Sequence, residues 1–229
     1  MENVLKAIAV VPAYNEEDLI GTTVRSLLAI EGVRRVVVID DASRDRSGRV
    51  ALEAGATVVV NGTNLGKGGS LNRVLAGLQF EALLLVDGDL GEHAGEAHKL
   101  LEPVLSGSAD LAIAAFPAPA KKGGFGFTQG FARKGIALLT GLEMRSPISG
   151  QRAMTREVFD AVAPFRRGFG VEVAMTVDAH RKGFRIVEVP TTMGHRETGR
   201  DWAGFLHRGR QFADILKALA SQALRRAGR

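Results

Sequence analysis

The chain has no cysteine, one tryptophan, one tyrosine and seven prolines in 229 residues. Without cysteine there is no disulfide, no thiolate metal site and no cysteine nucleophile. Any metal must rest on oxygen or imidazole, which favours Mg²⁺ or Mn²⁺ over a structural zinc. The same absence fits a reducing cytoplasm. No apolar run reaches the ~18 residues that a membrane-spanning helix needs. The N-terminal stretch MENVLKAIAVVPAYNEE carries a short apolar run that stops at Pro12 and two glutamates. It reads as a first buried strand, not as an export signal. Nucleic-acid recognition motifs are also missing, and with so few stacking aromatics no nucleic-acid partner is expected.

What is present is a soluble-protein composition, 45% hydrophobic and 24% charged, enough to bury a sizeable core. The net charge of +5 is unevenly placed: residues 181–229 hold eleven Lys and Arg against four Asp and Glu. A basic C-terminal part suits an anionic partner, a phosphate group or an anionic lipid.

Over the first 115 residues, short β-branched runs alternate with helical patterns. The runs are Ala7–Val11, Arg35–Ile39, Thr57–Val60, Ala82–Val86 and Leu111–Ala114. The helical patterns between them are Asp18–Ala29, Ser47–Ala54, Gly68–Gly77 and Glu96–Leu105. Strands apolar throughout belong to a sheet covered on both faces, and the alternation predicts a parallel α/β sheet. Residues 116–130, FPAPAKKGGFGFTQG, are rich in Gly and Pro and read as a loop. Helical periodicity returns over Phe131–Leu142, a further strand covers Arg185–Val189, and a long helical pattern starts at Asp201.

In such a sheet ligands bind at the carboxyl ends of the strands. Four polar clusters fall there: Pro12-Ala13-Tyr14-Asn15-Glu16, Asp40-Asp41-Ala42-Ser43, Asn64-Leu65-Gly66-Lys67-Gly68 and Asp87-Gly88-Asp89. Asp87 and Asp89 follow the apolar LLLV, and side chains two apart on an extended segment share a face. Two carboxylates on one face suit a hard divalent cation completed by substrate phosphate oxygens. Asp-Gly is equally a turn pair. Asp40 or Asp41 can accept from a nucleobase N–H or ribose hydroxyls, while Asp41 or Ser43 can simply cap the next helix. Lys67 between two glycines can reach a phosphate, although the spacing of a Walker A loop is absent.

The segments VVPAYNEEDLIGTTVRSLL, VVVIDDASRDRSGRVA, NLGKGGSLNRVL and LLLVDGDL resemble the family 2 glycosyltransferases with a GT-A fold, over residues 1 to about 165. The resemblance implies a Rossmann-like, mostly parallel α/β sheet flanked by helices, with residues 1–200 as the GT-A domain and 201–229 as a basic amphipathic helix. In that family the first loop and the Asp-Asp pair hold the nucleoside, and the DxD motif holds the metal that bridges the diphosphate. Carried over, this implicates Pro12, Tyr14, Glu16, Asp40, Asp41, Lys67, Asp87 and Asp89, a nucleotide-sugar donor, and Mg²⁺ or Mn²⁺. The stretch Ser146–Ala153 is similar to a Ser-Gly-x-Arg-Ala element of polyprenyl-phosphate sugar transferases. Gly168–Val173 with Val177-Asp178 is similar to a segment of glucosyl-3-phosphoglycerate synthases. A downstream His-Arg element of those enzymes helps bind the metal, which implicates His195 as a third ligand and Arg196 as a phosphate clamp. Gly91 is a departure, because polyprenyl-phosphate mannosyltransferases often carry Gln there.

On this resemblance the acceptor is phosphate-bearing, a polyprenyl phosphate or a small phosphorylated acid, and Arg133, Lys134, Arg152 and Arg196 suit it. Glu172 is the general base if the acceptor is a hydroxyl; otherwise it orients Arg152 or caps a helix. The 116–130 loop is placed to close over the acceptor. Trp202, Phe205, Phe212, Leu216 and Leu219 form an apolar stripe beside Arg208, Arg210, Lys217, Arg225 and Arg226. That stripe suits the inner face of an anionic membrane, the protein's own core, or a second subunit in a homodimer. A sugar-phosphate nucleotidyltransferase and a nucleotide-binding module without turnover are the alternative functions.

Overall fold

The computed structural model describes residues 7–116, 125–166, 170–193 and 213–222. Seven strands form one sheet: β1 (Ala7–Ala13), β2 (Val33–Asp40), β3 (Thr57–Val60), β4 (Ala82–Leu85), β5 (Leu111–Ala115), β6 (Arg152–Thr155) and β7 (Ile186–Pro190). Their order is β3-β2-β1-β4-β6-β5-β7. All pairings are parallel except those of β6, which runs antiparallel between β4 and β5.

The helices are α1 (Ile20–Leu28), α2 (Ser47–Glu53), α3 (Gly66–Leu75), α4 (His98–Leu105), α5 (Phe125–Thr140), α6 (Arg156–Val162) and α7 (Val171–Arg181). A 3₁₀ segment, Gly91–Ala97, leads into α4. Alternation along the strands sorts the core into two halves, as the period of two requires. Ala7, Ala9, Val11, Val36 and Val38 pack with Ile20, Val24 and Leu27 of α1 and Leu100 and Leu101 of α4. Ile8, Val10, Val37 and Ile39 face Leu71 and Leu75 of α3, Ile136 of α5, Phe159 of α6 and Val173 and Val177 of α7. Both faces are covered, which is why the strand runs are apolar throughout.

Three elements depart from the sequence expectations. Strand β6 begins with an arginine and is four residues long, so no apolar run announces it. Helix α7 is buried nearly all round, with eight of its residues in the interior, so it lacks the one-sided stripe that marks a helix. The segment 116–130 is not a loop to its end, because α5 starts at Phe125; three glycines at 126, 130 and 135 mask its helical pattern. Residues 117–124 of that segment lie outside the described residues.

Residues 213–222 are helical and run in the groove between α5 and α7. Two glycines make the close approach possible. A Cβ on Gly135 would meet Leu219 Cδ1 at 2.3 Å, and one on Gly170 would meet the Asp214 carbonyl oxygen at 2.8 Å. Ile215 and Leu219 belong to the core, and Arg181 donates to the carbonyl and side-chain oxygens of Gln222. Leu219 therefore faces the protein and not a membrane, whereas Leu216 is 47% exposed. Trp202, Phe205 and Phe212 lie outside the described residues. No helix among the described residues is long and apolar enough to cross a membrane.

Because Ile215 is fully buried, Ile215→Ala is expected to lower unfolding stability by about 2–5 kcal/mol. Urea denaturation measures this; an unchanged midpoint would mean that the segment is an appendage and not part of the core.

Candidate active site

Strands β1, β2 and β4 end side by side, so the loops after them meet at one edge of the sheet. Strand β6 adds a fourth contribution. It pairs antiparallel with Leu85 opposite Arg152, so the residues entering β6, Ser149-Gly150-Gln151, arrive beside the residues leaving β4. A parallel strand in that place would have put its entry at the far end.

The first two loops are zipped together. The backbone N–H groups of Asn15, Glu16 and Glu17 donate to Ser43 Oγ, Ser47 Oγ and Asp45 Oδ2 at 3.1, 2.7 and 3.2 Å. In return, Asn15 Oδ1 accepts from the Arg44 amide at 2.8 Å. Asn15 and Ala42 both have left-handed backbones, φ 57° and 64°. For an alanine that costs roughly 1–2 kcal/mol, and the mutual bonds of the loops hold it there. Pro12 lies within β1 opposite Ile39, and Tyr14 is 43% exposed at the rim.

The Asp-Asp pair divides its work. Asp40 Oδ1 accepts from the Ser43 amide at 2.9 Å, and its Oδ2 lies so close to Gly48 that a Cβ there would meet it at 2.6 Å. Asp41 is 5% exposed and accepts from Asn61 Nδ2 (2.7 Å) and the amides of Leu65 (2.9 Å) and Gly66 (2.8 Å). Burial by itself would raise the Asp41 carboxyl, but these donors together with Ser70 outweigh it and hold it below its usual value. Asp41 thereby fixes the turn that opens α3 and presents Lys67. It caps that turn and not the helix after its own loop.

Lys67 is the centre of the cluster. Its Nζ lies 2.7 Å from Asp87 Oδ1 and 3.2 Å from Glu172 Oε1. Burial would lower the ammonium, but the two carboxylates outweigh it and raise it above its ordinary value. Asp87 Oδ2 accepts from Gln151 Nε2 at 2.9 Å. Gly150 leaves room for this: a Cβ there would meet Lys67 Nζ at 2.5 Å and Asp87 Oδ2 at 2.7 Å. Gly68, next to Lys67, makes room for a different neighbour, since a Cβ there would collide with the Arg166 carbonyl oxygen.

Arg152 lies beneath this cluster and not in it. It is fully buried, and its guanidinium donates to the carbonyls of Ser149 (2.9 Å) and Pro147 (3.4 Å) and to Thr176 Oγ1 (2.9 Å). Burial pushes it down to about 10, against the pull of Glu172 and Glu188. The expectation that Arg152 contacts an anionic acceptor is corrected accordingly: its donors are used in holding the 147–152 segment. Glu172, in the first turn of α7, pairs with Lys67, a partner that none of its three sequence-based roles anticipated. Arg133 donates to the Arg145 carbonyl at the surface.

Asp89 is partly buried with its Oδ1 in the interior. Strand β4 ends at Leu85 and residues 88–89 form a turn, so the two carboxylates are not related as neighbours on an extended strand. Among the described residues no three His, Asp or Glu side chains converge as a metal site. His195 and Arg196 lie outside the described residues. The donor set that is described, carboxylate oxygens without thiolate, fits a hard divalent cation that takes its remaining ligands from phosphate oxygens. Gln151 and the Asn61–Asp41 contact are not marked in the sequence: Gln151 lies inside the Ser146–Ala153 element beside Arg152, with no charge to set it apart.

Residues 8–163 match the family model described as Glycosyl transferase family 2. The chain is 32% identical over 199 residues to Glycosyltransferase AglJ of Haloferax volcanii, covering 83% of this chain and 63% of that protein's length. It is 30% identical over 217 residues to the Undecaprenyl-phosphate mannosyltransferase of Micrococcus luteus, covering 85% and 86%. Among solved structures, glucosyl-3-phosphoglycerate synthase from Mycobacterium tuberculosis, in complex with Mn²⁺, UDP and glucosyl-3-phosphoglycerate, superposes with a TM-score of 0.81 at 26% identity. That match covers 95% of this chain and 80% of that one.

A carboxyl whose folded value is depressed adds stability that is present above its unfolded value and lost as pH falls through the folded one. Asp41→Asn is therefore expected to lower stability by about 1–3 kcal/mol at pH 7. The gap should begin to narrow below about pH 4, where the carboxyl of the unfolded wild-type chain protonates, and go on closing as pH falls toward the lower folded value. Urea titrations of both proteins from pH 7 to pH 3 measure it.

Proposed function

The chain belongs to Glycosyl transferase family 2, and from that premise we propose that it moves a hexosyl group from a nucleotide-sugar to a phosphate-bearing acceptor. The observation that carries this is the Asp87-Gly88-Asp89 turn at the carboxyl end of β4, with Asp87 held between Lys67 and Gln151. Asp89, with Asp87 beside it and His195 as the third candidate, would hold Mg²⁺ or Mn²⁺. The ion, when bound, neutralises charge that develops on the leaving diphosphate.

The protein's own groups do the remaining work. The zipped loops carrying Pro12, Tyr14, Glu16 and Asp40 form the wall for the nucleoside. Asp41 acts one step removed, by fixing the Leu65–Gly66 turn. Lys67 supplies a fixed positive charge at the diphosphate end of the crevice and keeps Asp87 and Glu172 from repelling each other. A phosphate oxygen of a lipid acceptor would attack already ionised, whereas the hydroxyl of a phosphoglycerate must give up its proton; with Glu172 engaged by Lys67, that proton would pass to the leaving diphosphate. Arg196 is the candidate for clamping the acceptor phosphate.

Of the two acceptor classes, a small phosphorylated acid of the phosphoglycerate kind is favoured over a lipid phosphate. The structural neighbour in complex with Mn²⁺ and UDP carries glucosyl-3-phosphoglycerate, and Ile215, Ala218 and Leu219 are spent in this chain's own core instead of on a bilayer.

The test is transfer of labelled sugar from a panel of nucleotide-sugars to phosphoglycerate and to a short polyprenyl phosphate, with Mn²⁺ or EDTA. Transfer is expected only with metal, and Asp89→Ala should lower kcat/KM by on the order of 10²–10³-fold. Metal-independent transfer would contradict the reading. Release of pyrophosphate from nucleoside triphosphate plus sugar phosphate would instead make the protein a nucleotidyltransferase. Lys67→Met should also lose most activity, and should destabilise the fold by about 1–3 kcal/mol, because it strips a partly buried cation from two carboxylates. Full activity in this variant would exclude Lys67 from the donor site.

A further inference from the structure

Thr23, in the middle of α1, is fully buried and faces the underside of the Asp87–Gly91 turn. A buried hydroxyl on a helix commonly bonds back to the carbonyl four residues earlier. Thr23 instead reaches out of its helix. Its Oγ1 donates to the Gly88 carbonyl oxygen at 2.9 Å and accepts from the Gly91 amide at 2.8 Å. One hydroxyl thus uses its donor and an acceptor site on two peptide groups that bracket Asp89 and Leu90.

The surroundings leave the turn little freedom. Gly91 is held at φ +57°, in the left-handed region that favours glycine, and its Cα looks onto Leu19 of the segment entering α1. A Cβ on Gly88 would stand 3.3 Å from Ile20, 3.4 Å from Glu16 and 3.5 Å from Ala13. The start of α1 and the end of β1 are therefore the bed on which the turn rests, and Thr23 is its polar fastening. The same contacts account for Gly91, the departure noted in the sequence: the clamp uses its backbone amide at a left-handed position.

We propose that Thr23 is a positioning residue for Asp89, tying down the peptide group before Asp89 and the one after Leu90 so that the Asp89 carboxylate is pre-aimed at the divalent cation. This rests on the reading of Asp89 as a metal ligand. With the two-residue stretch Asp89-Leu90 tied at both ends, its backbone has little room to turn the carboxylate away. Without the hydroxyl, the Gly88 carbonyl and the Gly91 amide lose their partner in the interior, and the turn must shift to satisfy them. Groups that orient a metal ligand without touching the metal typically change affinity by 10–100-fold when removed.

The experiment compares wild type, Thr23→Val and Thr23→Ser. Valine nearly preserves the shape and removes both hydrogen bonds; serine keeps the hydroxyl. Each protein is titrated with Mn²⁺ at saturating UDP, free Mn²⁺ being read by electron paramagnetic resonance, and with UDP alone by calorimetry. Thermal unfolding of each confirms a folded sample. The expected result is Mn²⁺ affinity at least about tenfold weaker in Thr23→Val and within about twofold of wild type in Thr23→Ser, with affinity for UDP alone little changed in both. Unchanged Mn²⁺ affinity in a folded Thr23→Val overturns the proposal. So does a loss that falls equally on UDP alone, which is the mark of a merely structural role. If Thr23→Val does not fold, Thr23→Cys, whose thiol is a weak donor and acceptor, is judged on the same scale. Failure of the wild type to bind Mn²⁺ with UDP at all overturns the metal-site reading itself, an outcome separate from the Thr23 result.

Discussion

A lysine ammonium wedged between two carboxylates organises the carboxyl edge of this sheet. Asp87, Lys67 and Glu172 come from three elements far apart in sequence: the end of β4, the first turn of α3 and the first turn of α7. Three ionisable side chains can share so closed a space only as an alternating set, negative, positive, negative. Arg152 below continues the alternation toward Glu172 and Glu188. Each member is costly to bury alone and tolerable in the set, so removal of one strains the others. The surplus of negative charge at the upper end is what a divalent cation would complement.

Much of the remaining architecture serves to deliver these groups. The antiparallel β6 brings Gly150 and Gln151 to Asp87. Asp41 gathers Asn61, Leu65 and Gly66 into the turn from which Lys67 projects. Glu188 on β7 accepts from the amides of Arg145 and Ser146, and Ser146 Oγ in turn accepts from the Phe116 amide. The segment between α5 and β6 is thus tied to the sheet before it reaches the site. Glu96 anchors the chain after β7 by accepting from the Thr192 amide, while Met193 enters the core. That anchoring sets the starting point of the stretch that carries His195.

The sequence made the parallel half of the sheet legible because covered strands are apolar throughout, and β1, β2, β3, β4 and β5 each announce themselves. The four polar clusters at the strand ends were legible for the same reason: polarity that begins where an apolar run stops is conspicuous. What was hidden follows from burial that is not periodic. Helix α7 has no polar face of its own, β6 starts with an arginine whose guanidinium is taken up inside by the Ser149 and Pro147 carbonyls and Thr176, and glycines thin the helical signal of α5. The partners of Asp41 and Asp87 were hidden differently. A carboxylate at a strand end can face ligand or scaffold, and only the arrival of Asn61, Leu65, Gly66, Lys67 and Gln151 decides how much of it the scaffold uses. The C-terminal stripe is ambiguous in sequence because a core-facing and a membrane-facing helix share one pattern; of its two described members, Leu219 fits against Gly135 in the core and Leu216 is exposed.

The most direct test of the account is a crystal structure with Mn²⁺ and UDP, with data collected at the manganese absorption edge to place the ion by anomalous scattering. The account predicts one strong peak within about 2.0–2.3 Å of an Asp89 carboxylate oxygen, lying against the diphosphate, with the Lys67–Asp87–Glu172 alternation intact. An ion bound elsewhere, or UDP seated on this edge with no ion at Asp89, would contradict it.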